Sequence, residues 1–119
     1  MTTSERYAPF DVVVVPFPFS DRLAEKRRPA LVVSTRSLAR FGVIWLIMIT
    51  SADNPSWSCD VAIPDLERAG LPAPSVVRPA KIACVEFSRV LRRAGKLDAA
   101  TARRVSQGMH AFFAEAVRR

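Results

Sequence analysis

Histidine is nearly absent from this sequence: His110 is the only one. The two cysteines, Cys59 and Cys84, stand far apart and belong to no CxxC pair. A paired-histidine acid–base site is therefore excluded within one chain, and no zinc-ligand spacing exists. One disulfide would be thin support for a secreted fold, so both cysteines are expected as reduced, partly buried thiols. Glycine is scarce too. The four glycines, Gly42, Gly70, Gly95 and Gly108, are scattered, so no Gly-rich loop cradles phosphates. Carboxylates do not gather into an obvious magnesium site. No metal and no cofactor are expected. The longest apolar stretch, "FGVIWLIMIT", is ten residues, and a membrane-spanning helix needs about twice that. The N-terminal "MTTSERYAPF" has no basic segment followed by an apolar one, so no signal peptide and no membrane contact are expected. The expected place of work is the cytoplasm.

What is present is an apolar half and a cationic surplus. Half of the 119 residues are apolar, enough for one core, and a single domain over residues 1–119 is expected. The net charge is +7 and it is unevenly spread. Residues 1–88 hold ten Lys/Arg and nine Asp/Glu, whereas residues 89–119 hold eight and two. Such an excess draws polyanions, above all nucleic acid, or an acidic protein partner.

Along the chain, "DVVVVPFPF" (Asp11 to Phe19) is rich in Val and Phe and predicts a strand, with Pro16 and Pro18 at its edge or exit. "SDRLAEKRR" (Ser20 to Arg28) predicts a polar loop, and Pro29 then opens a second strand, "ALVVS". "GVIWLIMITS" (Gly42 to Ser51) is apolar on both faces and predicts a central strand, or one with a face in a dimer contact. "SADNPSWS" is turn chemistry, and "CDVAI" predicts a short strand. Asp65 opens one helical turn that ends at Gly70. "SVVRPAKIACVEF" gives two short strands, or one bent at Pro79. From Asp98 on, Val105, Met109, Phe112, Phe113 and Ala116 fall at helical spacing, with Asp98 as the N-cap. Strands first and a helix last predict an α+β fold, a small antiparallel barrel or sheet with the helix packed on it.

Phosphate chemistry in such a chain must run on Arg, Lys, hydroxyls and backbone amides. Three places offer them. Arg27 and Arg28 sit where a loop meets a strand, Thr50 and Ser51 end the long apolar strand, and Arg78 lies in "SVVRPAK". An arginine fork matches phosphate oxygens and stays charged at every working pH. From pattern alone these are candidate phosphate contacts, with solvated charge and strand-end capping as the plain alternatives.

Taken in order, "DVVVVPFPFSD…KRRPALVVS…IWLIMITS…AGLPAPSVVRPAKIACV…LRRAGKL" resembles the MazF/PemK toxins of bacterial type II toxin–antitoxin systems. The resemblance runs from about Asp11 into the C-terminal helix, and "RRPALVVS" is its most specific piece. It implies an SH3-like β-barrel over about residues 9–90 with a C-terminal helix over about 98–117, in a homodimer. It implies a metal-independent, sequence-specific endoribonuclease that cuts single-stranded RNA to 2′,3′-cyclic phosphate and 5′-hydroxyl ends. It also implies a cognate antitoxin whose acidic, flexible tail covers the RNA groove.

Residue by residue, the resemblance assigns catalysis to Arg28, Thr50 and Arg78. Arg28 would neutralise charge on the phosphorane-like transition state. Thr50 would hold the scissile phosphate. Lys26, Arg27, Ser51 and Lys81 would contact the RNA strand. The chain departs from the family at three points, one of them a loop from Ser20 to Arg28 that holds no glycine, unlike many relatives. Phe10 stands where a glycine is usual. Ala80 stands where some members carry the aspartate credited as general base, which leaves Glu25 and Asp21 as candidates for that role. Two other readings compete. One is a basic barrel that binds RNA without cutting it, or a toxin aimed at another target such as DNA gyrase. The other makes the C-terminal basic segment, with Arg92–Arg93 and Arg103–Arg104, a DNA-contact helix.

Overall fold

In the computed structural model, residues 6–17 and 26–118 are described. Six strands form one antiparallel sheet: β1 (Asp11–Phe17), β2 (Lys26–Val32), β3 (Val43–Ser51), β4 (Val61–Ala62), β5 (Ser75–Glu86) and β6 (Arg92–Lys96). A one-turn helix, α1 (Leu66–Ala69), joins β4 to β5, and a long helix, α2 (Ala99–Val117), ends the chain. The spatial order is β4-β5-β3-β2-β1-β6. The sheet curls into a half-barrel because both of its faces are apolar and both need cover.

The pleat sends alternate residues to opposite faces. Val12, Leu31, Ile47, Ile49 and Val77 share one face, closed by Ala102 and Val105 of α2 and by Ala69 and Leu71 around α1. Val13, Val15, Ala30, Val32, Leu46 and Met48 share the other, closed by Tyr7 and Val90. Complete burial of Leu31, Leu46, Ile47 and Ile49 stabilises the fold by about 1.5–3 kcal/mol per side chain. The sequence expectations hold for β1, for β3 and for the helix. Asp98 caps α2 by accepting from the Thr101 N–H at 3.0 Å and the Thr101 hydroxyl at 2.7 Å. The Thr101 hydroxyl, then its backbone N–H, hold the Asp98 carboxyl below the usual range.

Three expectations are corrected. The cationic segment does not end as a loop at Arg28: β2 starts at Lys26, and Pro29 lies inside it, across from Val14. Pro29 is tolerated because the β2–β3 ladder begins only at Ala30, so no partner is there to miss its N–H. Pro16 is tolerated likewise, since β6 reaches only as far as Val14 along β1. Second, "RRAGK" is strand β6, so Arg92 and Arg93 are not helical. The polar sequence hid it, because among the described residues β6 is an edge strand that pairs with β1 alone. Third, Cys84 is exposed rather than partly buried, on the outer half of β5.

Three turns use the left-handed backbone region, at Phe10, Gly42 and Gly70. Phe10 has φ 70°, the left-handed region that glycine favours, which is why a glycine suits this position. Gly70 has φ 73°, and a Cβ there would lie 2.1 Å from the Ala94 carbonyl oxygen. Gly42 has φ 77° but open space around it. Gly70→Ala should therefore lose more than the roughly 1–2 kcal/mol of backbone strain that Gly42→Ala loses, because β6 must also move. Parallel urea unfolding of the two variants measures this; equal losses would show that the β6 contact has no cost.

Candidate active site

Arg28 and Thr50 come from the two strands at the centre of the sheet. The β2–β3 ladder pairs Ala30 with Met48, Leu31 with Ile47 and Val32 with Leu46. The ladder ends there; continued two residues in the same register, it would set Arg28 across from Thr50. Alternation puts both on the face of Ala30 and Met48, away from α2. Arg28 is half-buried, with its Nε inside the surface. Its neighbour Arg27 takes the opposite face of β2. Even so, Arg27 and Arg28 both line one cleft of about 470 Å³, with Pro29, Leu71, Pro72, Leu91 and Arg92.

Thr50 ends the apolar run and is half-buried. Asn54 Nδ2 donates to the Thr50 Oγ1 at 2.6 Å. With that lone pair engaged, the threonine proton is directed elsewhere, as a donor. Asn54 had no separate role in the sequence reading, because an Asn in a turn is ordinary turn chemistry.

Arg78 has a different environment from Arg28. It follows Val77, which pairs with Ile49, so it too points away from α2. Its residue is 7% exposed and its guanidinium is engaged on several sides. Arg78 Nε donates to Asp60 Oδ1 at 2.9 Å, and Nη2 donates to Asp60 Oδ2 at 3.0 Å and to the Pro55 carbonyl at 2.9 Å. Its Cζ stacks 4.3 Å from the centre of the Trp57 ring. This is a bidentate fork on a carboxylate with an aromatic lid. The hydrogen bond from Arg78, then the Trp57 N–H, hold the Asp60 carboxyl below the usual range, against the opposing effect of burial. The same pairing raises Arg78. Arg78 therefore braces the β3–β4 loop from beneath. Asp60 lies 18 positions away from it, and sequence reading offered no signal for the pair.

The remaining candidates are spread. Ser51 is exposed, and its Oγ accepts from the Asp53 N–H at 3.1 Å, a turn contact. Lys26 is exposed at the start of β2, and Lys81 is exposed beside the irregularity where β5 shifts register against β3. Glu25 and Asp21 lie outside the described residues. His110 is exposed on α2. Among the described residues, no group of three His, Cys, Asp or Glu side chains could hold a metal ion, and no helix is long and apolar enough to cross a membrane.

The Asp60 carboxylate has a folded pKa below its unfolded value, so its stabilisation is present above about pH 4 and fades as pH falls through the folded value. Asp60→Asn should unfold at a lower temperature than the wild type at about pH 7, and the gap should close toward about pH 2. Thermal scans across that range check this; a gap that persists in acid would mean that shape rather than charge holds the pair.

Known proteins with this architecture share most of the chain. The MazF toxin of Deinococcus radiodurans is 20% identical, with a TM-score of 0.72, over 92% of this chain and 97% of that one. The Mycobacterium tuberculosis toxin MazF-mt6 is 17% identical, with a TM-score of 0.69, over 87% and 95%. An endoribonuclease in complex with its cognate antitoxin, from a mycobacterial species, is 14% identical, with a TM-score of 0.67, over 90% and 92%. At these identities the likeness carries the fold. No curated protein matches in sequence. The family model that describes the PemK-like, MazF-like toxin of type II toxin–antitoxin systems matches residues 8–113. The chain belongs to that family of toxins.

Proposed function

We propose that this chain is an endoribonuclease that cuts single-stranded RNA at preferred sequences, by attack of the substrate's own 2′-hydroxyl on the adjacent phosphorus. The observation that supports the reading is the register of β2 on β3, which, continued two residues past Ala30 and Met48, would set Arg28 across from Thr50. Membership of the toxin family supports it.

In the reaction the 2′-oxygen bonds to phosphorus and the bond from phosphorus to the 5′-oxygen breaks. The 2′-hydroxyl loses its proton and the leaving 5′-oxygen gains one, giving a 2′,3′-cyclic phosphate and a 5′-hydroxyl. Negative charge grows on the non-bridging oxygens in between. Arg28, fixed in a strand rather than swinging on a loop, supplies a charged fork already in place. Thr50 donates its proton to one of those oxygens, with Asn54 holding the hydroxyl. The proposed role of Arg28 is electrostatic, without proton transfer. Glu25 and Asp21 are the candidates for taking the 2′-proton. Lys26, Arg27, Ser51 and Lys81 are proposed contacts to the RNA strand, which add salt-dependent affinity and little sequence choice.

We propose that Arg78 acts through the loop it holds rather than by touching phosphate. Its Nε and Nη2 are committed to Asp60 and Pro55. Its proposed part in the reaction is to position the loop that carries Asn54. That commitment, together with Ala80 where some relatives carry an aspartate, favours the competing reading, a protein that binds RNA without cutting it. The partners proposed are a second copy of this chain and an antitoxin with an acidic tail. The similar mycobacterial endoribonuclease, found with its cognate antitoxin, supports the second of these.

The deciding experiment is a long single-stranded RNA incubated with the protein in EDTA. We expect cuts at discrete sites with cyclic-phosphate ends. Arg28→Ala should lower the rate by about 10²- to 10³-fold while thermal unfolding stays unchanged, and Arg28→Lys should recover only part of it. Intact RNA at equimolar wild-type protein would instead support binding without cutting. Asn54→Ala should lower kcat by about tenfold, the worth of one hydrogen bond of roughly 1.4 kcal/mol. An unchanged kcat would remove Asn54 from the account.

A further inference from the structure

The β3–β4 loop holds an indole at the surface, over the Arg78–Asp60 pair. Trp57 is 44% exposed, among Ser56, Ser58 and Pro55. An exposed tryptophan on a polar turn is normally mobile. This one is tethered. The Trp57 backbone N–H donates to Asp60 Oδ2 at 2.9 Å, and the Trp57 carbonyl accepts from the Asp60 backbone N–H at 3.0 Å. Arg78 covers one ring face at 4.3 Å. The exposed area therefore belongs to the other face and the ring edge. The loop's far end is tied as well, where the Ala52 N–H donates to the Pro74 carbonyl at 3.0 Å. Trp57 is three residues beyond Asn54, so the chain keeps it within about 11 Å of the residue that holds Thr50.

We infer that Trp57 is a stacking platform for one unpaired base of the RNA strand, next to the phosphate at Arg28 and Thr50; the inference rests on the nuclease reading above. A flat aromatic surface held rigidly beside a phosphate contact is what a single strand needs to splay one base out. The ligand is a nucleobase rather than a phosphate. The Arg78 charge beneath the ring is neutralised by Asp60, so the platform attracts through its π-face and not through net charge. A cation on the inner face also draws electron density from the ring, which favours stacking by an electron-rich purine. Arg78 and Asp60 are positioning residues here: they set the ring's angle and height.

Trp45 and Trp57 are the only tryptophans, so Trp45→Phe leaves an emission that reports on Trp57 alone. A 2′-O-methyl strand of mixed sequence binds without offering a nucleophile. We expect this strand to quench the emission, and the same strand annealed to its complement, or an abasic strand, to leave it unchanged. On cleavable single-stranded RNA, Trp57→Ala should raise KM about 5- to 150-fold with a smaller change in kcat, and should flatten the base preference at one position of the cut site. Trp57→Phe should restore most of both. Quenching by duplex and abasic strands alike would overturn the stacking proposal. So would an unmoved emission while the wild type still cuts RNA, and in both cases the nuclease reading stands. If the wild type neither binds nor cuts any single strand, the nuclease reading itself fails and takes this one with it.

Discussion

The register between β2 and β3 is the constraint from which the site follows. β3 is buried along most of its length and is paired on both sides, with β2 and with β5. A slip by one residue would turn Thr50 to the face of α2 and send Ile47 and Ile49 out of the core that α2 and α1 close. The apolar residues that fix the register therefore also fix where a hydroxyl and a guanidinium end up. Each is placed by the burial of residues two to four positions away.

The cationic cluster before Pro29 gains a reason in this geometry. Lys26, Arg27 and Arg28 belong to a strand, so their Cβ atoms alternate between its two faces. The Arg27 and Arg28 side chains nevertheless border one cleft, together with Leu71 and Arg92. The strand also removes conformational freedom from Arg28 before any phosphate arrives, which lowers the entropy cost of binding. Arg78 shows the opposite use of the same chemistry. Surrounded by Asp60, Pro55 and Trp57, it spends its fork on ordering a loop, and the loop holds Asn54 against Thr50.

Much of this was legible in the sequence, and the gaps have physical causes. β1 and β3 announced themselves because runs such as "VIWLIMI" fit nothing but a buried strand in a chain this short. The helix announced itself through the spacing from Val105 to Phe113 and the Asp98 cap. β6 did not, because an edge strand needs no apolar alternation, and Gly95 reads as a turn. Gly95 is there because a Cβ would lie 2.3 Å from the Arg68 carbonyl oxygen, a contact that only the fold reveals. Arg28 and Thr50 were picked out by type and by family resemblance. The Arg78–Asp60–Trp57 assembly was not, since it joins residues from two elements with no periodic link. A tryptophan inside a Ser/Pro/Asn turn was the signal available for it.

The central claim is that Arg28 and Thr50 address the same phosphate. The most direct test is a crystal structure of the protein with an uncleavable 2′-O-methyl oligoribonucleotide that spans a mapped cut site. The account predicts that the phosphate at that site accepts hydrogen bonds from both the Arg28 guanidinium and the Thr50 hydroxyl. A strand whose scissile phosphate lies against other residues, with Arg28 and Thr50 touching different nucleotides or none, would contradict it.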